Sequence, residues 1–271
     1  FPIFTCSAGP TNSIRGAGFL TGSTDAIVVD VGGTTTDIGF LANGFPRETS
    51  GANYVGGVRT NFNMPDILSI ALGGGTIISS HGSDPKVGPE SVGFHLPREG
   101  LVFGGNTLTA TDIAVAAGRA QIGERAKVAH LSAPFVESIL IRIQTMVEDA
   151  IDLMRTTSKP IDVILVGGGA ILFREEFKGA ARVLRPDHAD VANAVGAAIA
   201  QVSGATDKLY DFSDGGREAA LARARQDAID NAIAAGAAAE SIDIVSIEEL
   251  PMTHMQSSSV RVRVNAIGEL A

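Results

Sequence analysis

The stretch Ala26-Ile27-Val28-Val29-Asp30-Val31-Gly32-Gly33-Thr34-Thr35-Thr36-Asp37 runs from an apolar segment through paired glycines and three threonines to a second apolar segment at Ile38 to Leu41. Short apolar runs that end in glycine read as buried strands meeting a tight turn. Asn43-Gly44 marks a further turn into a third strand around Arg47. Paired glycines let backbone amides approach a phosphate, threonine hydroxyls add donors, and a carboxylate at a strand end can hold Mg²⁺, usually through water. Gly32, Gly33, Thr34, Thr35 and Thr36 are therefore expected at a nucleotide phosphate, and Asp30 and Asp37 at a Mg²⁺ ion. Asp30 is also the first catalytic candidate. The alternative is a glycine-rich hairpin with no ligand.

Downstream, Ile164-Leu165-Val166-Gly167-Gly168-Gly169-Ala170 repeats the pattern of a buried strand running into glycines. It lacks the Gly-x-Gly-x-x-Gly spacing and the following acidic residue of a dinucleotide-binding unit, which excludes that reading. Between the two loops, Val136, Ile139, Leu140, Ile143, Val147, Ile151 and Met154 recur at helical spacing and predict one long helix over residues 134–156. A shorter helix is expected from Thr111 as N-cap, with Asp112 in a capping role, so that Asp112→Asn should cost only about 1 kcal/mol. Residues 56–106 are rich in Gly, Pro and Ser and read as loops and short elements lining a site. A small-residue helix over residues 188–202, capped by Gly204, ends this part.

The texture then changes. A polar connection at 209–216, an alanine-rich helix over 217–235 and two strands of period two suggest a small α-β-β module. In the last strand Val260, Val262 and Val264 are expected to face one way. The division predicted is 1–204 and 205–271.

With 271 residues, 45% of them apolar and 19% charged, the chain can bury a full core. Its net charge of −9, with no basic cluster interleaved with aromatics, argues against nucleic acid as a partner. No apolar run reaches the roughly 20 residues that span a bilayer, and no targeting signal is legible. The single cysteine, Cys6, reads as a small core residue, and the expected setting is cytoplasmic. The five histidines show no metal-ligand spacing, and no Gly-x-Ser-x-Gly elbow is present.

Asp66 and Glu90 are further candidates for metal ligand or general base, the alternative being that they cap loops. Arg59 and Asn61 are candidates for binding a substrate carboxylate or carbonyl, against the plain reading of exposed polar residues.

The order of phosphate hairpin, long helix, second glycine loop and Ala192–Ala198 helix resembles the actin-like ATPases, in which Gly167, Gly168 and Gly169 would contact adenosine. The resemblance narrows further. Ser7 to Ser13, Asp30 to Gly39, Asn43 to Arg47, Met64 to Ile67 with Gly73-Gly74-Gly75, Val87 to Ser91 and Leu108 to Asp112 are similar to successive blocks of the hydantoinase A/oxoprolinase family. The resemblance implies an α/β fold, an actin-like (ribonuclease H-like) ATPase lobe. It also implies ATP and Mg²⁺ as cofactors, a small cyclic amide (a hydantoin or 5-oxoproline) as substrate, and a second hydantoinase-type subunit as partner. ATP would phosphorylate the amide oxygen so that water attacks the ring carbon. Family members carry an earlier phosphate loop in an N-terminal domain, and the chain opens at Phe1-Pro2-Ile3-Phe4 as if inside a strand. The expectation is therefore a chain without that domain, inactive alone. Phe94-His95-Leu96-Pro97-Arg98 replaces a Pro-Gly-Pro-Ala-type segment of many relatives. A kinase- or carboxylase-type relative and a non-catalytic scaffold remain the other classes.

Overall fold

The computed structural model describes residues 7–49, 53–55, 57–60, 64–81, 84–174, 176–213, 215–250 and 259–271. Cys6, the opening Phe1 to Phe4 and Asn61 lie outside the described residues. The chain divides into two compact units, Phe1–Ala198 and Ile199–Ala271.

The first unit begins with helix α1 (Ala8–Thr21). Strands β1 (Ala26–Val31), β2 (Thr36–Ala42) and β3 (Phe45–Pro46) follow. Next come β4 (Asn53–Val55), β5 (Val58–Thr60), β6 (Ile67–Ile70), β7 (Thr76–His81), β8 (Asp84–Ser91) and the single turn α2 (Leu96–Glu99). Helices α3 (Ala110–Ala116) and α4 (Ala133–Met154), strands β9 (Ile161–Val166) and β10 (Ala180–Leu184), and helix α5 (Ala192–Ala198) complete it. The central sheet runs β10-β9-β1-β2-β3, with β6 also on β2. β1, β9 and β10 are parallel, and β2 turns back antiparallel on β1. Asn43 and Gly44, at φ 51° and 80°, form the tight turn between β2 and β3.

Both faces of the sheet are covered, which is why β1 and β9 are almost wholly apolar. Side chains alternate across a strand. Ile27, Val29, Val31, Val163 and Leu165 therefore join one core with Ile113 of α3 and the stripe Val136, Ile139, Leu140, Ile143, Val147, Ile151 and Met154 of α4. Ala26, Val28, Ile164 and Val166 face the other way, onto Ile14 and Ala17 of α1 and Ala192 of α5.

Helix α1 has no counterpart in the sequence reading, because Gly9, Gly16 and Gly18 lower helix propensity by about 1 kcal/mol each. Packing reverses that preference. A Cβ on Gly16 would stand 1.9 Å from the Ala192 carbonyl oxygen, and one on Gly196 would stand 1.8 Å from that of Asn12. The glycines are what allow α1 and α5 to cross backbone on backbone. The predicted helix over 188–202 shrinks accordingly to α5, and Gly204 is not its cap.

At α3 the N-cap is Thr109, not Thr111. Thr111 lies inside the helix, where its amide and hydroxyl both donate to the Gly74 carbonyl at 2.9 Å. Asp112 is fully buried. Its Oδ1 accepts from the Val102 amide at 2.8 Å, and its Oδ2 accepts from the Leu101 amide at 3.2 Å and from the Thr109 amide and hydroxyl at 2.7 Å each. In Asp112→Asn an NH₂ group would face one of these donor sets. The cost expected from capping alone is therefore too small, since hydrogen bonds to a charged group are worth about 1.5–3 kcal/mol each and a buried unpaired donor adds to the loss. Thermal denaturation of Asp112→Asn should show a loss of about 3 kcal/mol or more.

In the second unit, β11 (Val202–Asp211), α6 (Gly216–Ala234), β12 (Asp243–Leu250) and β13 (Ser259–Gly268) form a β-α-β-β arrangement. The sheet order is β11-β13-β12, all antiparallel. Strand β11 takes in the first three residues, 209–211, of what reads as a polar connection. Gly204 lies in it because a Cβ there would stand 2.2 Å from the Ala232 amide nitrogen of α6. Val262, Val264 and Ala266 are fully buried against Leu221, Ala224, Ala228 and Ala232, with Val260 packed at the margin.

Candidate functional site

Strand β1 ends by placing Asp30 opposite Asp37 in register, so both carboxylates stand on the same face of the hairpin. The connecting loop is closed by Gly32 N–H on the Thr35 carbonyl at 2.9 Å. From beneath, the amides of Gly74 and Gly75 donate to the carbonyls of Gly32 and Gly33 at 3.0 and 2.7 Å. A Cβ on Gly73 would stand 2.5 Å from the Thr34 nitrogen and 2.7 Å from the Gly32 oxygen, so the floor is backbone against backbone. The Gly73-Gly74-Gly75 run thus builds the site without forming its surface.

This support turns the loop carbonyls inward. Among the described residues the amides of Gly33 and Thr34 donate to no protein acceptor. Gly33, Thr34 and Thr35 are exposed, and nothing lies within 4 Å of a Cβ built on Gly33. Successive free amides in a turn form an anion receptor. Thr36, predicted with them, is fully buried, and its hydroxyl is spent on the Leu72 carbonyl at 2.7 Å. It braces the loop from behind.

The second glycine loop meets the first directly. Gly167 has φ 85°, and a Cβ on it would stand 2.4 Å from both Asp30 Oδ1 and the Val31 oxygen. On Gly169 it would stand 2.5 Å from Val31 Cγ1. Gly168 is exposed, with nothing within 4 Å of its Cβ position. Both loops lie at the carboxyl ends of the parallel strands β1 and β9, where open α/β sheets place ligands. Arg119, just beyond α3, donates to the Leu172 carbonyl and ties down the exit of this second loop. The sequence reading passed it over because a lone arginine carries no signal.

Burial pushes the Asp30 carboxyl above the usual carboxylate range; a hydrogen bond from Ser13 opposes this, and the Asp37 charge adds to it. Asp37 accepts a hydrogen bond from Ser69 of β6. Among the described residues no three His, Cys, Asp or Glu side chains cluster as metal ligands. The donor set nevertheless fits Mg²⁺, which usually takes one or two carboxylates and completes its shell with water and phosphate oxygens. Two like charges in one register position also gain from a cation between them.

The other candidates disperse. Asp66 is engaged by Arg47, whose Nε and Nη2 reach its Oδ2 at 3.0 and 2.7 Å. Arg47 also donates to the Met154 carbonyl at 3.1 Å and covers the Phe40 ring, so the pair fastens the sheet edge to the end of α4. Asp66 lies three residues along the chain from Ser69, roughly 10 Å at strand rise. Glu90 is exposed on β8. It precedes Ser91, whose hydroxyl accepts from the Gly93 amide at 3.1 Å. Arg59 is exposed on the separate two-stranded ribbon β4-β5.

Residues 1–125 match the family model for hydantoinase/oxoprolinase. No curated protein matches the chain. Among solved structures, an ATP-dependent caprolactamase from Pseudomonas jessenii superposes with a TM-score of 0.67 at 18% identity, over 97% of this chain and 50% of the caprolactamase chain. A nucleotide-free acetone carboxylase gives a TM-score of 0.63 at 16% identity, over 97% of this chain and 49% of its own. The chain therefore spans about half the length of these two structures. The chain thus shares the α/β fold of these two structures, and its residues 1–125 are similar to the hydantoinase/oxoprolinase family.

Proposed function

We propose that the first unit forms one wall of an ATP site in an enzyme that opens a cyclic amide of the hydantoin, 5-oxoproline or caprolactam type. What carries the reading is the exposed loop Gly33–Thr35, whose Gly33 and Thr34 amides donate to no protein acceptor among the described residues, next to the register-paired Asp30 and Asp37. In this reading those amides and the Thr34 and Thr35 hydroxyls hold phosphate oxygens, and Asp30 and Asp37 hold Mg²⁺. Gly167 to Gly169 leave room for the nucleoside. When bound, ATP supplies the phosphoryl group that activates the amide oxygen. Glu90 is the remaining candidate base, and Arg59 and Asn61 remain candidates for substrate contact. A second hydantoinase-type subunit as partner and a cytoplasmic setting, where Mg²⁺ and ATP are abundant, go with this function. Among the described residues no helix is long and apolar enough to cross a membrane.

A second reading, ATP-dependent carboxylation, is favoured by the comparable similarity to acetone carboxylase. The test is phosphate release by the full-length protein with Mg²⁺-ATP and hydantoin, 5-oxoproline or caprolactam, against acetone with bicarbonate. Release stimulated by one cyclic amide and lost in Asp30→Asn is the expected result. Stimulation by acetone and bicarbonate alone selects the second reading, and no stimulation by any of them overturns both.

A further inference from the structure

Phe94 is the most exposed large apolar side chain among the described residues, at 87%. A lone exposed phenylalanine is ordinary by itself. The place of this one is not, because it stands beside the Gly32–Thr35 loop.

Three backbone segments fix it there. The Gly75 amide donates to the Gly33 carbonyl at 2.7 Å, and the Val92 amide donates to the Gly75 carbonyl at 2.9 Å. One residue on, Gly93 turns at φ 54°, where glycine meets no steric penalty, and its amide donates to the Ser91 hydroxyl at 3.1 Å. The nearest atom to a Cβ built on Gly93 is the Thr34 hydroxyl oxygen, 3.8 Å away. Phe94 leaves the chain one residue after that contact, about 3.8 Å along the backbone. The His95 amide then donates back to the Val92 carbonyl at 3.0 Å, and the half-buried His95 ring lies 3.8 Å from the Phe94 ring, tilted by 44°. That contact restrains the phenyl ring and still leaves most of it open.

The loop is approached differently along its length. Gly167 and Gly169 meet Asp30, Val31 and Gly32, whereas Gly93 meets Thr34. With the nucleoside at the first of these places, the second is left for the molecule that receives the phosphoryl group. A phenyl face holds a flat partner best, by offset stacking. Hydantoin and 5-oxoproline have five-membered amide rings close to planar, whereas the seven-membered ring of caprolactam is puckered and cannot lie flat on it.

We infer that Phe94 is a specificity-determining residue: its ring is the platform on which a flat five-membered cyclic amide stacks, beside the phosphate held at Thr34. The inference rests on the proposed ATP-dependent ring opening.

The test uses the full-length protein with hydantoin, 5-oxoproline and caprolactam. It reads kcat and KM for phosphate release, binding of each amide by saturation-transfer NMR with a non-hydrolysable ATP analogue, and melting temperature. Phe94→Ala should raise KM for the five-membered amide and weaken its binding by roughly tenfold or more, since both the stacking face and its apolar area are lost. KM for ATP and the melting temperature should stay as they are, and Phe94→Tyr, which keeps the face, should restore amide affinity. Unchanged amide binding in Phe94→Ala, with release still lost in Asp30→Asn, overturns the platform and leaves the proposed function standing. So does stimulation by caprolactam alone. A rise confined to the KM for ATP puts the ring against the nucleotide, and a lower melting temperature with unchanged amide binding puts it against another part of the protein; either overturns the inference. Release stimulated by none of the three amides overturns the proposed function, and this inference with it.

Discussion

Gly73→Ala is expected to unfold the floor of the Gly32–Thr35 loop and, on the proposed function, to remove nucleotide binding with it. The three atoms that an added Cβ would meet, Thr34 N, Gly33 C and Gly32 O at 2.5 to 2.7 Å, are all backbone, and no rotamer change can clear them. The loop must lift, breaking the Gly74 and Gly75 amide bonds to the carbonyls of Gly32 and Gly33. Overpacking a tight site costs about 1–3 kcal/mol, occasionally more, and two hydrogen bonds at about 1 kcal/mol each are lost with it. A fall in melting temperature together with loss of Mg²⁺-nucleotide binding is the result to look for. Gly33→Ala is the matching control, because the space around its Cβ is empty. It should melt like the unaltered protein yet bind nucleotide weakly, since that space is where the phosphate would sit. Normal binding in Gly33→Ala would move the phosphate elsewhere.

Asp30→Asn should abolish Mg²⁺-nucleotide binding while raising the stability of the metal-free protein at neutral pH. Burial, and secondarily the Asp37 charge, raise the folded pKa of Asp30 above its unfolded value despite the Ser13 hydrogen bond. Between the two values the folded state binds more protons than the unfolded one. Stability therefore falls as pH rises through that window, and the full penalty remains above the folded pKa. Asparagine carries no charge to desolvate, so the variant should melt a few degrees higher at pH 7. That advantage should disappear below pH about 4, where the aspartate is neutral in both states. Added Mg²⁺-nucleotide should then raise the melting temperature of the aspartate protein only, because a ligand stabilises the state that binds it. Equal ligand-induced shifts in both proteins would remove Asp30 from the site.

Asp30 and Asp37 share one face of the hairpin, and Gly167 closes on Asp30, its Cβ position 2.4 Å from Oδ1. A partly buried charge is a local cost to stability, and on the proposed reading a bound cation offsets it.

Local chemistry alone made the hairpin around Gly32-Gly33, the strand before Gly167 and the buried stripe of α4 legible in the sequence. Each depends on periodicity or turn residues within a dozen positions. The sequence also brought out the two glycine loops and the Asp30/Asp37 pair, because phosphate chemistry requires those residue types in close succession. Tertiary structure alone decided the rest. It made a helix of α1 against the propensity of its glycines, because those glycines admit α5. It turned Thr36 from a ligand contact into a brace, Asp66 into the partner of Arg47, and Gly204 from a helix cap into a strand residue beneath α6. It also joined Ser13 and Asn193, 180 residues apart, by a hydrogen bond between α1 and α5. A side chain's hydrogen-bond partner is set by what the fold brings within about 3 Å, and that neighbour is usually remote in the chain.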